Sequence, residues 1–127
     1  EDLDERLAPY RRRQGLVGDF EAPLGLFLQS APARDILARM LRNLKEIHRS
    51  ARDWPRWHAV QERLVVLLPQ VWDERRDRAL VRAELGLTEG AMADLEGYLS
   101  HRPEADDARE MTERLSALRR LHTPRLQ

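Results

Sequence analysis

The chain has 127 residues, with 22 lysines and arginines balanced by 22 aspartates and glutamates, and no cysteine. A formal net charge of zero disfavours a nonspecific nucleic-acid or anionic-membrane partner. The missing cysteines exclude a disulfide framework and a thiol nucleophile, and they suit the cytoplasm.

With 42% hydrophobic and 35% charged residues, the chain is too apolar for disorder and suits helices with salt-bridged faces. Its length fits one small domain or a part of something larger. No apolar run approaches the ~20 residues of a membrane span. Asp2 to Arg13 carries Leu3, Leu7 and Tyr10 at helical spacing, a short amphipathic helix weakened by Pro9. Arg11 to Arg13 reads as a solvated helix end, without the interleaved aromatics of a nucleic-acid footprint. After a turn at Gly15 to Gly18 comes an apolar stretch, Phe20 to Leu28, which Pro23 and Gly25 keep from being a regular helix. Phe20, Leu24, Leu26 and Phe27 make it a candidate contact surface toward another domain.

The helical core of the pattern runs from Pro32 to Pro103. Ser30 or Ala31 can cap a first helix, with Pro32 in its first turn. Ile36, Leu37, Met40, Leu41, Leu44, Ile47 and Ala51 give it an apolar stripe. Asp53 can cap a second helix with Pro55 in its first turn, striped by Trp57, Val60, Leu64, Leu67 and Leu68 and stopped by Pro69. Trp57 reads as core packing. A third helix starts near Trp72 and ends before Gly86. Thr88 can cap a fourth, bearing Ala91, Met92, Leu95, Tyr98 and Leu99 and closed by Pro103. The acidic Glu104 to Asp107 reads as the start of a fifth helix, striped by Met111, Leu115, Leu118 and Leu121.

Pro69 and Pro103 lie 34 residues apart, the period of tetratricopeptide repeats. Letter identity between the copies is thin (Arg42/Arg76, Ala59/Ala93, Glu62/Glu96), so the shared helix–turn–helix–Pro plan carries the repeat. The expected fold is all-α, a right-handed α-α superhelix of tetratricopeptide-like hairpins with a C-terminal capping helix. Residues 1–31 form an N-terminal helix and linker, and 32–122 the helical domain, with repeats about 36–69 and 70–103 and the capping helix about 104–121.

No histidine pair has metal-ligand spacing, and no nucleophile elbow, phosphate loop or dinucleotide glycine pattern is present. The carboxylates lie among arginines and read as charged faces, so the expectation is a chain without catalytic residues, metal or cofactor. By repeat register the first helices of the hairpins line a groove bordered by Arg39, Arg42, Asn43 and Glu46, and by Arg76, Asp77 and Ala83. Arg42 and Arg76 are equivalent, so a basic strip for a carboxylate or acidic peptide is one reading, and solvation or pairing with Asp73, Asp77 and Glu46 the other. A protein or peptide is the expected partner, and no nucleic acid or membrane.

Several strings also resemble a known family. These are Ala38-Arg-Met-Leu-Arg-Asn-Leu-Lys45, Asp53-Trp-Pro, Gln61-Glu-Arg-Leu64, Leu68-Pro69 and Glu74-Arg-Arg-Asp-Arg78, followed by Ala83-Glu-Leu-Gly86 and Ala93-Asp-Leu-Glu96. From Pro32 to Leu121 the chain is similar to the tetratricopeptide region of the SirB family of bacterial proteins. Pro23-Leu-Gly-Leu-Phe-Leu-Gln29 resembles the linker before it. Trp57 and Ala79 depart from the pattern, standing where a small residue and a glycine are usual. The resemblance implies an N-terminal transglutaminase-like domain upstream, on which these helices could pack as an accessory or scaffold region.

Overall fold

A computed structural model describes residues 30–122. The expected N-terminal helix and the apolar segment with Phe20, Leu24, Leu26 and Phe27 lie outside the described residues. Five helices follow in order: α1 (Ala31–Ser50), α2 (Trp54–Leu67), α3 (Trp72–Glu84), α4 (Thr88–His101) and α5 (Ala108–His122), with no strand among the described residues. The chain divides into two units, Glu1–Leu37 and Ala38–Gln127. The first turns of α1 belong to the first unit, and the helices described below are those of the second.

Local chemistry sets the boundaries. Ser30 Oγ accepts the Ala33 N–H at 3.2 Å and so caps α1. Asp53 accepts the Arg56 N–H at 3.2 Å and caps α2, with Pro55 in the first turn. That backbone hydrogen bond holds the Asp53 carboxyl below its usual range. The expected cap at Thr88 does not form: the capping position falls on Leu87, with no side-chain hydrogen bond. Of the acidic run before α5 only its last residue meets the helix, Asp107 O accepting the Met111 N–H at 2.9 Å. Residues 104–107 form turns, with Ala105 N–H on Arg102 O and Ala108 N–H on Ala105 O, and α5 begins at Ala108.

The ends of α1 and α3 share one hydrogen-bond pattern. After α3, Gly86 N–H reaches Ala83 O and Leu87 N–H reaches Arg82 O, with Gly86 at φ 77°. After α1, Arg52 N–H reaches Arg49 O and Asp53 N–H reaches His48 O, with Arg52 at φ 56°. This is the left-handed C-terminal motif that glycine favours. Arg52 and Gly86 are 34 positions apart, and α2 and α4, each 14 residues, start 34 apart as well. The structural repeat therefore has the tetratricopeptide period even though the letters barely repeat.

Side-chain pairs give the helix directions. Arg42 meets Glu74 and Lys45 meets Asp77, so α1 and α3 are neighbours running the same way. Arg78 meets Glu62 while Arg82 reaches back to His58, so α2 and α3 are antiparallel. Arg119 meets Glu96 while His122 meets Glu89, so α4 and α5 are antiparallel.

The main apolar core lies among α3, α4 and α5, built from Ala79, Ala91, Leu95, Tyr98, Met111, Leu115 and Leu118. On α5, Arg109, Thr112, Glu113 and Arg120 are exposed and polar.

Four residues of the expected stripes are exposed: Ile36, Ile47, Ala51 and Leu121. The repeat equivalent of Ile47, Val81, is 0% exposed, whereas Ile47 is 60% exposed. Val81 shares a face with Glu74 and Arg78, which bind α2 residues. The corresponding side of α1 leaves Ile47 exposed. Leu121 sits in the last turn of α5, beyond the buried line that ends at Leu118.

Gly86→Ala places a β-carbon in open space but in a backbone region costly for alanine. It should lower stability by about 1 kcal/mol, read as a lower urea midpoint at unchanged m-value.

Candidate functional site

The feature that stands out in α3 is its burial of charge. Glu74 is 4% exposed and Asp94, facing α3 from α4, 6%. Neither fits the expectation that the carboxylates form solvated faces. Both are buried because arginines and lysines from neighbouring helices surround them, as a buried charge requires.

Glu74 joins three helices. Its Oε2 accepts from Arg42 Nε and Nη2, both at 3.1 Å. Its Oε1 accepts from Lys45 Nζ at 3.0 Å and from Gln61 Nε2 at 2.8 Å. Gln61 is fully committed as well: its amide also donates to Glu74 O at 2.8 Å, and its Oε1 accepts Trp57 Nε1–H at 3.0 Å. Trp57 is buried in the core, and its polar edge holds this amide in place. Lys45 continues to Asp77 Oδ2 at 2.6 Å.

Burial pushes the Glu74 carboxyl up. The hydrogen bonds from Gln61, Lys45 and Arg42, together with the Lys45 charge, outweigh it and hold the carboxyl below its usual range. A carboxylate so held is a structural anion and a poor general acid.

A second network ties α3 to α2 and α4. Asp94 accepts Arg78 Nη2 and Nε, both at 2.8 Å, and Arg82 Nη1 at 3.0 Å. Glu62 of α2 receives the other ends, Arg78 Nη1 and Arg82 Nη2, both at 3.1 Å. The Asp94 bonds keep the Arg78 guanidinium more basic than usual despite burial. Gly90 makes room for this arrangement, since a β-carbon there would stand 3.1 Å from Arg82 Nη1.

The third node is Asp107, just before α5. It accepts Tyr98 Oη–H at 2.6 Å and Arg76 Nη1 at 3.1 Å. Burial raises its carboxyl, and the Tyr98 hydrogen bond and the Arg76 charge more than reverse that, so it lies below its usual range. Burial and the hydrogen bond to Asp107 push the Tyr98 phenol up.

The residues expected to border the groove therefore fall into three groups. Arg39, Asn43 and Glu46 are exposed on α1, where Glu46 pairs with Arg49. Arg42 pairs with Glu74 while its own side chain stays half exposed, Arg76 pairs with Asp77 at 2.9 Å and with Asp107 at 3.1 Å, and Asp77 also takes Lys45. Ala83 is half-buried against the α3–α4–α5 core. It lines a furrow of about 140 Å³ between α3 and α5 with Ala79, Leu80, Leu95, Ala117, Leu118 and Arg114. Sequence reasoning missed Lys45, Gln61, Glu74 and Asp94 as buried residues. Their polarity reads as surface, and only the polar residues at core positions of the stripes hinted otherwise.

The geometry thus comprises two parallel first helices, antiparallel second helices between them and a 34-residue structural period. A model of the tetratricopeptide repeat matches residues 44–116. The chain belongs to the tetratricopeptide repeat family. It is also similar to a UPF0162 protein of Xylella fastidiosa strain 9a5c, with 38% identity over 103 residues, 81% of this chain and 36% of that protein. A UPF0162 protein of strain Temecula1 / ATCC 700964 is 35% identical over the same span. The chain thus covers about a third of the length of the curated relatives it matches. No solved structure matches. Among the described residues of this tetratricopeptide chain, no helix is long and apolar enough to cross a membrane, and no cluster of His, Asp or Glu could hold a metal ion.

Glu74→Gln removes the anion and leaves Lys45 and Arg42 facing a neutral amide. It should cost about 3 kcal/mol at neutral pH. Because the folded pKa of Glu74 is depressed, its contribution is present above the unfolded value of 4.5 and lost as pH falls through the folded one. Urea melts of both proteins from pH 7 to 3 check this: the difference in stability should shrink on acidification.

Proposed function

We propose that the face shared by α1, α3 and α5 is a protein-binding surface, and that the chain is a non-catalytic interaction module of a longer bacterial protein. Membership of the tetratricopeptide family, whose repeats generally mediate protein–protein interaction, is the observation that carries this reading. The exposed Arg39, Asn43 and Glu46 on α1 support it, since they sit beside helices whose own charges are already committed. The bacterial relatives and the cysteine-free composition support a cytoplasmic setting.

A second reading is favoured by the relatives' length: about two thirds of each lies outside the matched region. Here the helices act as an accessory region on an upstream domain of the same protein, transglutaminase-like if the resemblance to the SirB family holds. Phe20, Leu24, Leu26 and Phe27 are then the proposed contact.

A photo-crosslinking side chain at Asn43, in the full-length protein in its own cells, tests both, with exposed Arg63 on α2 as the control position. Adducts to a separate protein at Asn43 and none at Arg63 are expected. Crosslinks from Asn43 into the rest of the same polypeptide would favour the accessory reading. Equal yields at both positions would overturn the assignment of the face.

A further inference from the structure

The two repeats treat one space differently. Between α1 and α3 the furrow is filled from within: Lys45 is buried and its ammonium reaches Glu74 and Asp77. One repeat later, Ala79 stands at the Lys45 position and Met111 at the Asp77 position. The corresponding furrow between α3 and α5 therefore has neither the filling side chain nor the acid that would attract a cation. It is a partly open cavity of about 140 Å³, floored by Leu95 and walled by Ala79, Ala83, Ala117 and Leu118.

We propose that this furrow is a binding subsite for one branched or aromatic side chain of a partner polypeptide, next to a carboxylate that pairs with Arg114. The inference rests on the reading of the α1–α3–α5 face as a binding surface and names what that surface selects. Size and lining choose the apolar part: carbon-lined cavities of ~150 Å³ stay dry and hold a benzene-sized group. Three alanines form the walls where one longer side chain would close the space. Charge complementarity chooses the neighbour. Arg114 is the single charged residue lining the furrow. Its side chain is 51% exposed, and its ion-pair partner among the described residues is Glu110, one turn away at 3.5 Å. That contact is long and solvent-screened, so a ligand carboxylate can displace it at small cost. A polar or cationic side chain entering instead would lose its hydration with no acceptor to replace it.

Phenylacetate combines the ring and the carboxylate in one probe, and its neutral amide removes the charge. Titrating each into the isotope-labelled chain should shift the methyl signals of Ala79, Ala83, Ala117 and Leu118, with phenylacetate saturating on the order of millimolar. Phenylacetamide should bind about threefold more weakly. Ala117→Leu fills the furrow and should abolish the response. Arg114→Gln, an exposed change that leaves the core intact, should bring phenylacetate down to the level of the amide. No response at these methyls in the wild-type chain, or an undiminished one in Ala117→Leu, overturns the subsite. Equal binding of acid and amide overturns the carboxylate partner. The titration reads the furrow alone, so its failure stays distinct from a failure of the Asn43 crosslinking.

Discussion

A carboxylate out of water must be matched or the fold around it fails, and Glu74 is where that constraint is tightest. Its two oxygens take hydrogen bonds from α1 and α2 while its backbone belongs to α3. Losing one partner of such a buried set costs about 3–5 kcal/mol, a large share of the 5–15 kcal/mol by which a domain is stable. A one-residue slip of α1 along α3 would break the Arg42 and Lys45 contacts together. The network thus pins the register of the first hairpin on the second, a task that apolar side chains of similar volume perform less selectively.

Charge and carbon divide the work along the array. The α3–α4–α5 end is closed by a continuous apolar core. At the α1–α2–α3 end, ion pairs and a committed glutamine take much of that place, and α3 presents Glu74, Asp77, Arg78 and Arg82 to its neighbours. In a repeat protein each hairpin contacts only the next, so an interface built of charge can coexist with one built of carbon without strain between them. Arg42 and Arg76 already pair with carboxylates of the chain itself, while Arg39, Asn43 and Glu46 are exposed on α1 and Arg114 borders a carbon-lined furrow.

Much of the fold was legible because it rests on local chemistry. Pro32 and Pro55, the Asp53 cap, Gly86 and the 34-residue spacing of Pro69 and Pro103 act within a few residues of themselves, and the helices stop and start where these residues say. Thr88 and the acidic run 104–107 were legible only to within a residue or a turn: Thr88 opens α4 with Leu87 in the cap position, and of the acidic run only Asp107 meets α5, its side chain accepting from Tyr98 and Arg76.

The sequence by itself determined where the described helices lie and the 34-residue repeat, since periodicity and capping are properties of short segments. Which side of each helix is buried, and against what, was decided only by tertiary structure. Ile47 and Val81 occupy equivalent positions, yet Val81 is buried and Ile47 exposed. Lys45 and Glu74 look like surface residues in any window of sequence and are buried because each is the other's counter-ion across 29 positions of chain. Ala83 carries no signal of its own; its place on the wall of the furrow depends on how closely α5 approaches α3. Ion pairing and packing between distant segments depend on three-dimensional proximity, which no local pattern encodes.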